Sequence, residues 1–284
     1  MKKSLVINLY FIIATSFYGC VGDSPVITPT PFPTAFDQSV PVGDDSLPLF
    51  CRGTGDITIL LENGIGGSSW SPVDLNRFTR FGRACTYLRA GHLKKPDRPL
   101  TAEDHARNLH ELLETAGVPG PYLLVGHSIA GLVMVVFVGD FPQEIVGMVC
   151  VDCHAPDEVA RILAKLGPAG ADEPLDVTVF RRQAAGEIDW MAEPPYFDWL
   201  TGEKEAQKVT SLGNIPLVVL VAEGDLPQQP TQWDKLGWEA HLEGSQALSQ
   251  LSTSGRLELV KGVDHDGIVH STMVEKAVQT VLQK

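Results

Sequence analysis

From Asp56 onward, short apolar runs alternate with longer stretches of helical spacing. Short apolar runs bounded by polar or glycine residues are typical of buried strands. They occupy 56–62, 83–88, 122–125, 145–151, 217–221 and 257–260. Helices are predicted at 102–116, with Thr101 as the N-cap, and at 272–282. This alternation predicts an α/β protein with a mostly parallel sheet and helices on both faces.

The segment between the fourth and fifth of these strands is too long for an ordinary crossover. It contains a helical piece at 157–166 and a cluster of apolar side chains. The cluster consists of Phe180, Ile188, Trp190, Met191, Tyr196, Phe197, Trp199 and Leu200. We therefore predict a helical cap at 154–214, inserted into a core built from 43–153 and 215–284. A second small core is the other interpretation of such a cluster.

The N-terminal segment has a different composition. Lys2 and Lys3 precede the apolar run from Leu5 to Tyr18, a pattern typical of a secretory signal and too short for a comfortable membrane span. We predict a signal peptide at 1–19 and export of the protein. Residues 20–42 are rich in Pro, Thr, Ser and Gly and are expected to form an extended tether.

The four residues that end at Cys20 resemble a bacterial lipobox, in which the cysteine carries a lipid anchor after cleavage. Phe17 stands where that motif prefers leucine. The resemblance implies a lipoprotein anchored to the cell envelope through Cys20, and the alternative is a secreted or periplasmic protein.

The chain length and the net charge limit the functions that this protein can have. The chain has 284 residues, of which 44% are hydrophobic, enough for one substantial core with an insertion. Its formal net charge is -13, and no block rich in Lys and Arg is present. Nucleic acid is therefore not an expected partner, because phosphate binding needs a basic face. A small molecule is the expected partner, with membrane contact only through a lipid on Cys20.

Polar residues interrupt the apolar pattern where the strand at 122–125 meets the following helical stretch. Gly126 and His127 precede Ser128 there. A serine at a sharp strand-to-helix turn is the arrangement of a nucleophile elbow, in which the hydroxyl is held toward substrate. A serine at a helix start can also be a simple N-cap.

Other chemically useful side chains follow the remaining strands. Ligands of open parallel sheets bind at the carboxyl ends of the strands. Asp152, Asp225 and His265 follow predicted strands there, as Ser128 does. A serine needs an imidazole to accept its proton, and the imidazole needs a carboxylate to orient it. These residues therefore predict a Ser, Asp, His set.

A glycine-rich loop at 63–67 follows the first predicted strand. Backbone N–H groups free of side-chain obstruction can stabilise negative charge that develops on a substrate oxygen. The candidates for this oxyanion hole are the N–H groups of Ile65 and Ile129.

Five segments together resemble the α/β-hydrolase superfamily, in particular its bacterial members. They are C-R-G-T-G (51–55), E-N-G-I-G-G-S-S (62–69), C-T-Y-L-R-A-G (85–91), G-V-P-G-P-Y-L-L-V-G-H-S (117–128) and V-D-C-H-A-P-D (151–157). The chain departs from the family pattern at Ala130, in place of the elbow's second glycine, at Leu88, in place of an aspartate, and in the loop 91–95. The resemblance implies an α/β-hydrolase fold, with Ser128 as the nucleophile.

The resemblance also bears on the other site residues. The superfamily places its base where His265 stands, so we favour His265 over His270. Its commonest acid position corresponds to Asp225, whereas the narrower likeness at 151–157 favours Asp152. We favour Asp152 and keep Asp225 as the alternative. The positions of Cys51 and Cys85 on neighbouring strands of this fold, in an exported protein, imply a disulfide between them.

We therefore expect a serine hydrolase that cleaves carboxylic esters through an acyl-enzyme on Ser128. Thioesters, amides and lactones follow the same chemistry. This reaction requires no cofactor and no metal. A zinc site at Asp264, His265 and Asp266 is not favoured, because no second histidine lies at ligand spacing. The alternative function is a catalytically silent, surface-tethered protein that binds a hydrophobic small molecule.

Overall fold

A computed structural model describes residues 31–67, 69–188, 194, 196–224, 226, 227 and 229–283. Its strands are β1 (Ala35–Val42), β2 (Asp45–Arg52), β3 (Thr58–Glu62), β4 (Arg83–Tyr87), β5 (Tyr122–His127), β6 (Ile145–Val151), β7 (Leu217–Ala222) and β8 (Gly255–Val260). Its helices are α1 (Ala102–Ala116), α2 (Ala130–Asp140), α3 (Glu158–Leu166), α4 (Leu175–Ala184), α5 (Trp199–Ala206), α6 (Gln232–Gln250) and α7 (Thr272–Leu282). The signal peptide and lipobox predictions lie outside the described residues.

The strands form one sheet in the order β1-β2-β4-β3-β5-β6-β7-β8. β1 and β2 pair antiparallel at one edge, β2 also runs antiparallel to β4, and the other neighbouring strands are parallel. The predicted α/β class with a mostly parallel sheet is confirmed. Because strands β3 to β8 are parallel, their carboxyl ends lie along one edge of the sheet.

The prediction of a tether over 20–42 is wrong for its last part. Residues 35–42 form β1, which pairs along its whole length with β2. β1 is an edge strand with mostly exposed side chains and contains Pro41, so it lacks the apolar pattern that identifies buried strands. The sheet therefore begins eight residues before position 43, where we expected the core to start.

Apolar residues of the central strands alternate between the two faces of the sheet. In β5, Leu124 packs in one core cluster with α1 and α2, while Leu123 and Val125 pack in the other cluster with α7. Burial on both faces explains why these strands read as continuous apolar runs. α1 has the predicted bounds, and Thr101 caps it by accepting a hydrogen bond from the Asp104 N–H.

Three helices, α3, α4 and α5, lie between β6 and β7, in the segment for which a cap was predicted. The segment is also tied to the core: the Leu100 N–H donates to the Tyr196 carbonyl, and the Asp198 N–H donates to the Leu100 carbonyl. Phe197 is buried and stacks on His105 of α1. Part of the aromatic cluster therefore belongs to the main core. Trp190 and Met191, also in that cluster, lie outside the described residues.

The described residues include four cysteines, and two of them form a disulfide bond. Cys51 and Cys85 face each other in β2 and β4 and are disulfide-bonded, as the family resemblance implied. Cys150 and Cys153 are buried free thiols. Within the described residues, no helix has the length and apolarity needed to span a membrane.

Candidate functional site

Ser128 occupies the turn between β5 and α2. Its φ of 58° lies in the left-handed region, which residues other than glycine rarely adopt. The turn is held by backbone hydrogen bonds from the N–H of Ser128 to the Val151 carbonyl at 3.3 Å and from the His154 N–H to the Ser128 carbonyl at 2.8 Å. Ser128 is partly exposed while its neighbours His127 and Ile129 are buried. This is the geometry of an elbow that presents a serine at the carboxyl end of the sheet.

Small residues allow the tight packing around this elbow. A Cβ at Gly126 would lie 2.5 Å from the Met134 methyl carbon, and one at Gly131 would lie 2.6 Å from the His154 carbonyl oxygen. Ala130, which replaces the family's second glycine, is fully buried inside the first turn of α2. Gly131 is therefore the residue that permits close approach of the helix to the chain after β6.

Asp152 and His265 meet beside the elbow. The Asp152 Oδ2 lies 2.6 Å from the His265 Nδ1, and its Oδ1 accepts a hydrogen bond from the Ala222 N–H at 2.8 Å. Burial by itself would raise the pKa of Asp152, but the hydrogen bonds from His241 and His265 hold that pKa well below its usual range. Asp152 is 1% exposed and His265 is 41% exposed. Asp152 is thus an ionised, buried partner for an accessible imidazole.

A cavity of about 270 Å³ brings three of the predicted site residues together. It is lined by Ser128, Asp152, His154, Glu158, Trp199, His241 and His265. Asp225, the alternative acid, lies outside the described residues. His270, the alternative base, is exposed in the short turn at 267–270 and does not line this cavity.

The glycine-rich loop passes directly against the elbow. A Cβ at Gly64 would lie 3.3 Å from the Ser128 Cβ and 2.9 Å from the His127 Nδ1. Only a residue without a side chain leaves the backbone this close to the serine. Within the described part of the chain, neither the Ile65 N–H nor the Ile129 N–H donates a hydrogen bond. Among the described residues, both groups that we predicted for the oxyanion hole are therefore available to donate.

His127 connects the elbow to two neighbouring segments. Its Nε2 donates to the His265 carbonyl at 2.9 Å, and its Nδ1 lies 2.8 Å from the Ser69 hydroxyl, which also accepts from the Gly64 N–H. Burial lowers the pKa of His127 to about 4, so the ring is neutral and its Nδ1 accepts from Ser69. This role of His127 was not predicted from the sequence.

Arg89 fixes the glycine-rich loop through hydrogen bonds to backbone carbonyls. Its guanidinium donates to the carbonyls of Asn63 and Gly64 and forms an ion pair with Glu62 at 2.9 Å. Both charged side chains are 1% exposed. Leu88, which replaces the family aspartate, faces the same loop, because its Cδ2 lies 3.3 Å from the place of a Cβ at Gly67. A fixed loop is a requirement for preorganised N–H donors.

A second histidine, His241 of α6, also contacts Asp152. Its Nε2 lies 3.1 Å from the Asp152 Oδ1, and its Nδ1 lies 3.0 Å from the Glu158 Oε1. Sequence reasoning missed it because α6 was not predicted. The capping box formed by Thr231 and Asp234 was the available signal for that helix, but it does not indicate which residue His241 contacts.

His154 and Trp199 form the side of the cavity that belongs to the inserted segment. The His154 Nε2 lies 2.6 Å from the Glu203 Oε1 and 2.7 Å from the Trp199 indole nitrogen. His154 does not cap α3, whose N-cap is Asp157. Within the described residues, no group of three His, Cys, Asp or Glu side chains is arranged to hold a metal ion.

Comparison with known proteins agrees with this architecture. The family described as "Alpha/beta hydrolase family" matches residues 59–279. A thermophilic esterase from Thermogutta terrifontis, solved with malate bound, is similar in fold: the TM-score is 0.55 at 18% identity, over 88% of this chain and 98% of that one.

Two curated relatives match a shorter stretch. The "Probable transporter efuK" of Hormonema carpetanum is 38% identical over 109 residues, and the "Uncharacterized protein YqjL" of Bacillus subtilis (strain 168) is 34% identical over 105 residues. Each match covers 36% of this chain. The matched stretch spans 16% of the first relative and 41% of the second.

Proposed function

The chain belongs to the alpha/beta hydrolase family, and on that premise we propose that it is a serine hydrolase that cleaves carboxylic esters through an acyl-enzyme on Ser128. The observation that carries the proposal is the shared cavity, in which Ser128 stands on a left-handed turn beside a paired Asp152 and His265. A serine hydroxyl becomes a useful nucleophile only beside such an oriented base.

In the first half of the reaction, the Nε2 of His265 accepts the proton of the Ser128 hydroxyl as the serine oxygen attacks the ester carbonyl. Asp152 holds the other ring nitrogen, which fixes the tautomer and stabilises the imidazolium that forms. The N–H groups of Ile65 and Ile129 donate to the carbonyl oxygen as it becomes negative. His265 then gives its proton to the leaving alcohol.

In the second half, His265 takes a proton from a water molecule, which attacks the acyl-enzyme carbonyl. The tetrahedral intermediate collapses, the acid leaves, and His265 returns the proton to Ser128. Every proton transfer in this cycle uses side chains of the cavity. We propose that Asp152 is the carboxylate partner of His265. The support is its contact with His265 through one oxygen and with the Ala222 N–H through the other.

We also propose that the protein is exported, as an envelope lipoprotein through Cys20 or as a secreted or periplasmic protein. The basic and apolar N-terminal pattern supports this. So does the Cys51–Cys85 disulfide, since such bonds persist in oxidising compartments. Incorporation of labelled palmitate into the wild type, but not into Cys20→Ser, would distinguish the anchored form from the soluble one.

The test of the hydrolase proposal compares the wild type with Ser128→Ala on p-nitrophenyl esters from acetate to long acyl chains. Turnover by the wild type and background rates for the variant are expected, together with labelling of Ser128 by a fluorophosphonate probe. If the folded wild type neither hydrolyses any ester nor takes up the probe, the esterase proposal is wrong. A silent protein that binds a hydrophobic ligand would then be the better interpretation.

A further inference from the structure

We infer that His241 is a positioning residue of the proposed reaction, which fixes Asp152 through the carboxylate oxygen that His265 does not use. This inference rests on the proposed function. His241 comes from α6, a helix that contributes nothing else to the cavity lining.

The Asp152 carboxylate has hydrogen-bond partners on both of its oxygens. Its Oδ2 faces the His265 Nδ1, while its Oδ1 faces the His241 Nε2 at 3.1 Å and the Ala222 N–H at 2.8 Å. With donors on both oxygens, the carboxylate cannot rotate without losing one of them. Asp152 itself has a φ of 49°, so its backbone also stands in a restricted conformation.

The two partners of His241 determine its charge. Its two ring nitrogens face two carboxylates, Asp152 on one side and Glu158 on the other. A carboxylate only accepts, and only the imidazolium donates from both nitrogens. Burial would lower the pKa of His241, but the Glu158 charge and the hydrogen bond to Asp152 raise it to about 11.

The contacts of Glu158 position it to stabilise the His241 imidazolium. Its Oε2 accepts from the Ala155 N–H at 2.9 Å, and its Oε1 lies 3.7 Å from the His154 Nδ1. Burial would raise the pKa of Glu158, but its neighbours His154 and His241 and the hydrogen bond from the Ala155 N–H lower it to about 2. Glu158 is therefore an ionised partner of His241 throughout the pH range in which the enzyme would work.

Most other charged groups near α6 are paired among themselves, and the exceptions are Asp234, which accepts from Thr231, and Lys235, both in the first turn of α6. From α3, Arg161 pairs with Asp157, and Lys165 pairs with Glu239 and Glu243 of α6. From β8, Arg256 pairs with Glu258, and β7 carries no charged side chain. Around His265, the titratable neighbours are Asp152, the neutral His127 and the adjacent residues Asp264 and Asp266. Glu158, His241 and Asp152 thus form a row of alternating charge that ends on His265.

The alternating charges of this row affect the protonation of His265, the proposed base. The carboxylate of Asp152 favours the protonated form of His265, and the cation on His241 opposes that effect. His241 therefore helps His265 to remain a neutral base near neutral pH while it keeps Asp152 oriented. A purely structural ion pair would affect folding, but it would not shift the acidic limb of the activity profile.

The experiment uses the full chain with His241→Gln, Glu158→Gln and the double variant. The double variant is the matched control, because it removes both charges and does not leave Glu158 as a buried carboxylate without its cation. We expect kcat to fall by about 10- to 100-fold in both His241→Gln and His241→Gln/Glu158→Gln, with little change in KM. We expect the acidic limb of kcat/KM to move up by about half a pH unit or more in both.

A second measurement does not depend on activity. The ¹⁵N resonances of the His241 ring, assigned by their absence in His241→Gln, should be those of an imidazolium at pH 8. A neutral ring at pH 8 overturns the inference, as does a double variant with wild-type kcat and an unmoved acidic limb. Failure of the wild type to react with the fluorophosphonate instead defeats the proposed function, and the ring measurement still stands.

Discussion

The Asp152 Oδ2 and the His265 Nδ1 meet at 2.6 Å, although the two residues are 113 positions apart in the chain. They meet because β6 lies next to β7 and β7 next to β8 in a parallel sheet, so that the loops after β6 and β8 lie at the same edge.

This pairing predicts the result of changing the two candidate acids. We expect Asp152→Asn to lower kcat by about 10³- to 10⁴-fold, because the amide cannot stabilise the His265 imidazolium. Asp225→Asn is the matched variant and should retain activity within a few-fold of the wild type. Steady-state kinetics on a p-nitrophenyl ester decide between them, and the opposite pattern would make Asp225 the acid.

The ion pair of His241 with Glu158 should make stability depend on pH. The pKa of His241 is raised to about 11, so its contribution is complete below the unfolded value of about 6.5 and is lost as pH rises toward 11. The pKa of Glu158 is lowered to about 2, so its contribution is present above about 4.3 and is lost as pH falls toward 2.

Urea unfolding of the wild type and of His241→Gln/Glu158→Gln across pH tests this linkage. The difference in free energy of unfolding should be largest between about pH 4.3 and 6.5 and should shrink by up to about 1.4 kcal/mol per pH unit above that window. A difference that is constant from pH 5 to 10 would contradict the assigned charge.

The close approach at Gly131 predicts a second stability effect. A Cβ there meets the His154 carbonyl oxygen at 2.6 Å and the Cys153 Cβ at 2.8 Å, and neither is a flexible side-chain end. We expect Gly131→Ala to lower the free energy of unfolding by about 1–3 kcal/mol and to slow fluorophosphonate labelling of Ser128.

The control for this change is Gly237→Ala in α6. A Cβ at Gly237 meets nothing within 4 Å, and alanine favours a helix over glycine. This variant should be as stable as the wild type or more stable by up to about 1 kcal/mol. Equal effects of the two alanines in thermal unfolding would argue against the packing explanation.

The Cys51–Cys85 disulfide links residues 34 positions apart and restricts the unfolded chain. Loop-closure entropy for such a span gives a stabilisation of about 3–4 kcal/mol. Cys51→Ser/Cys85→Ser should therefore unfold at lower urea concentration than the oxidised wild type. Added reductant should lower the stability of the wild type and leave the double variant unchanged, and a reductant effect on both would point to another cause.

Local patterns predicted most of the sheet. The bounds of α1, β6 and α7 agree with the sequence prediction, because continuous apolar runs and capping residues are signals contained within each element. β1 was missed, since an edge strand buries few side chains and its pattern resembles that of a polar tether. α6 was missed although Thr231 and Asp234 mark its start.

The sequence by itself determined the turn at Ser128, because the apolar run before it, the small residues around it and the buried helix after it lie within one short segment. It also placed Asp152 and His265 after strands, at the edge where ligands bind in parallel sheets. Only the tertiary structure decided that Asp152 faces His265 and that His241 holds its other oxygen. Hydrogen bonds between side chains on different elements depend on strand order and helix packing, and residues 89 positions apart carry no local signal of their contact.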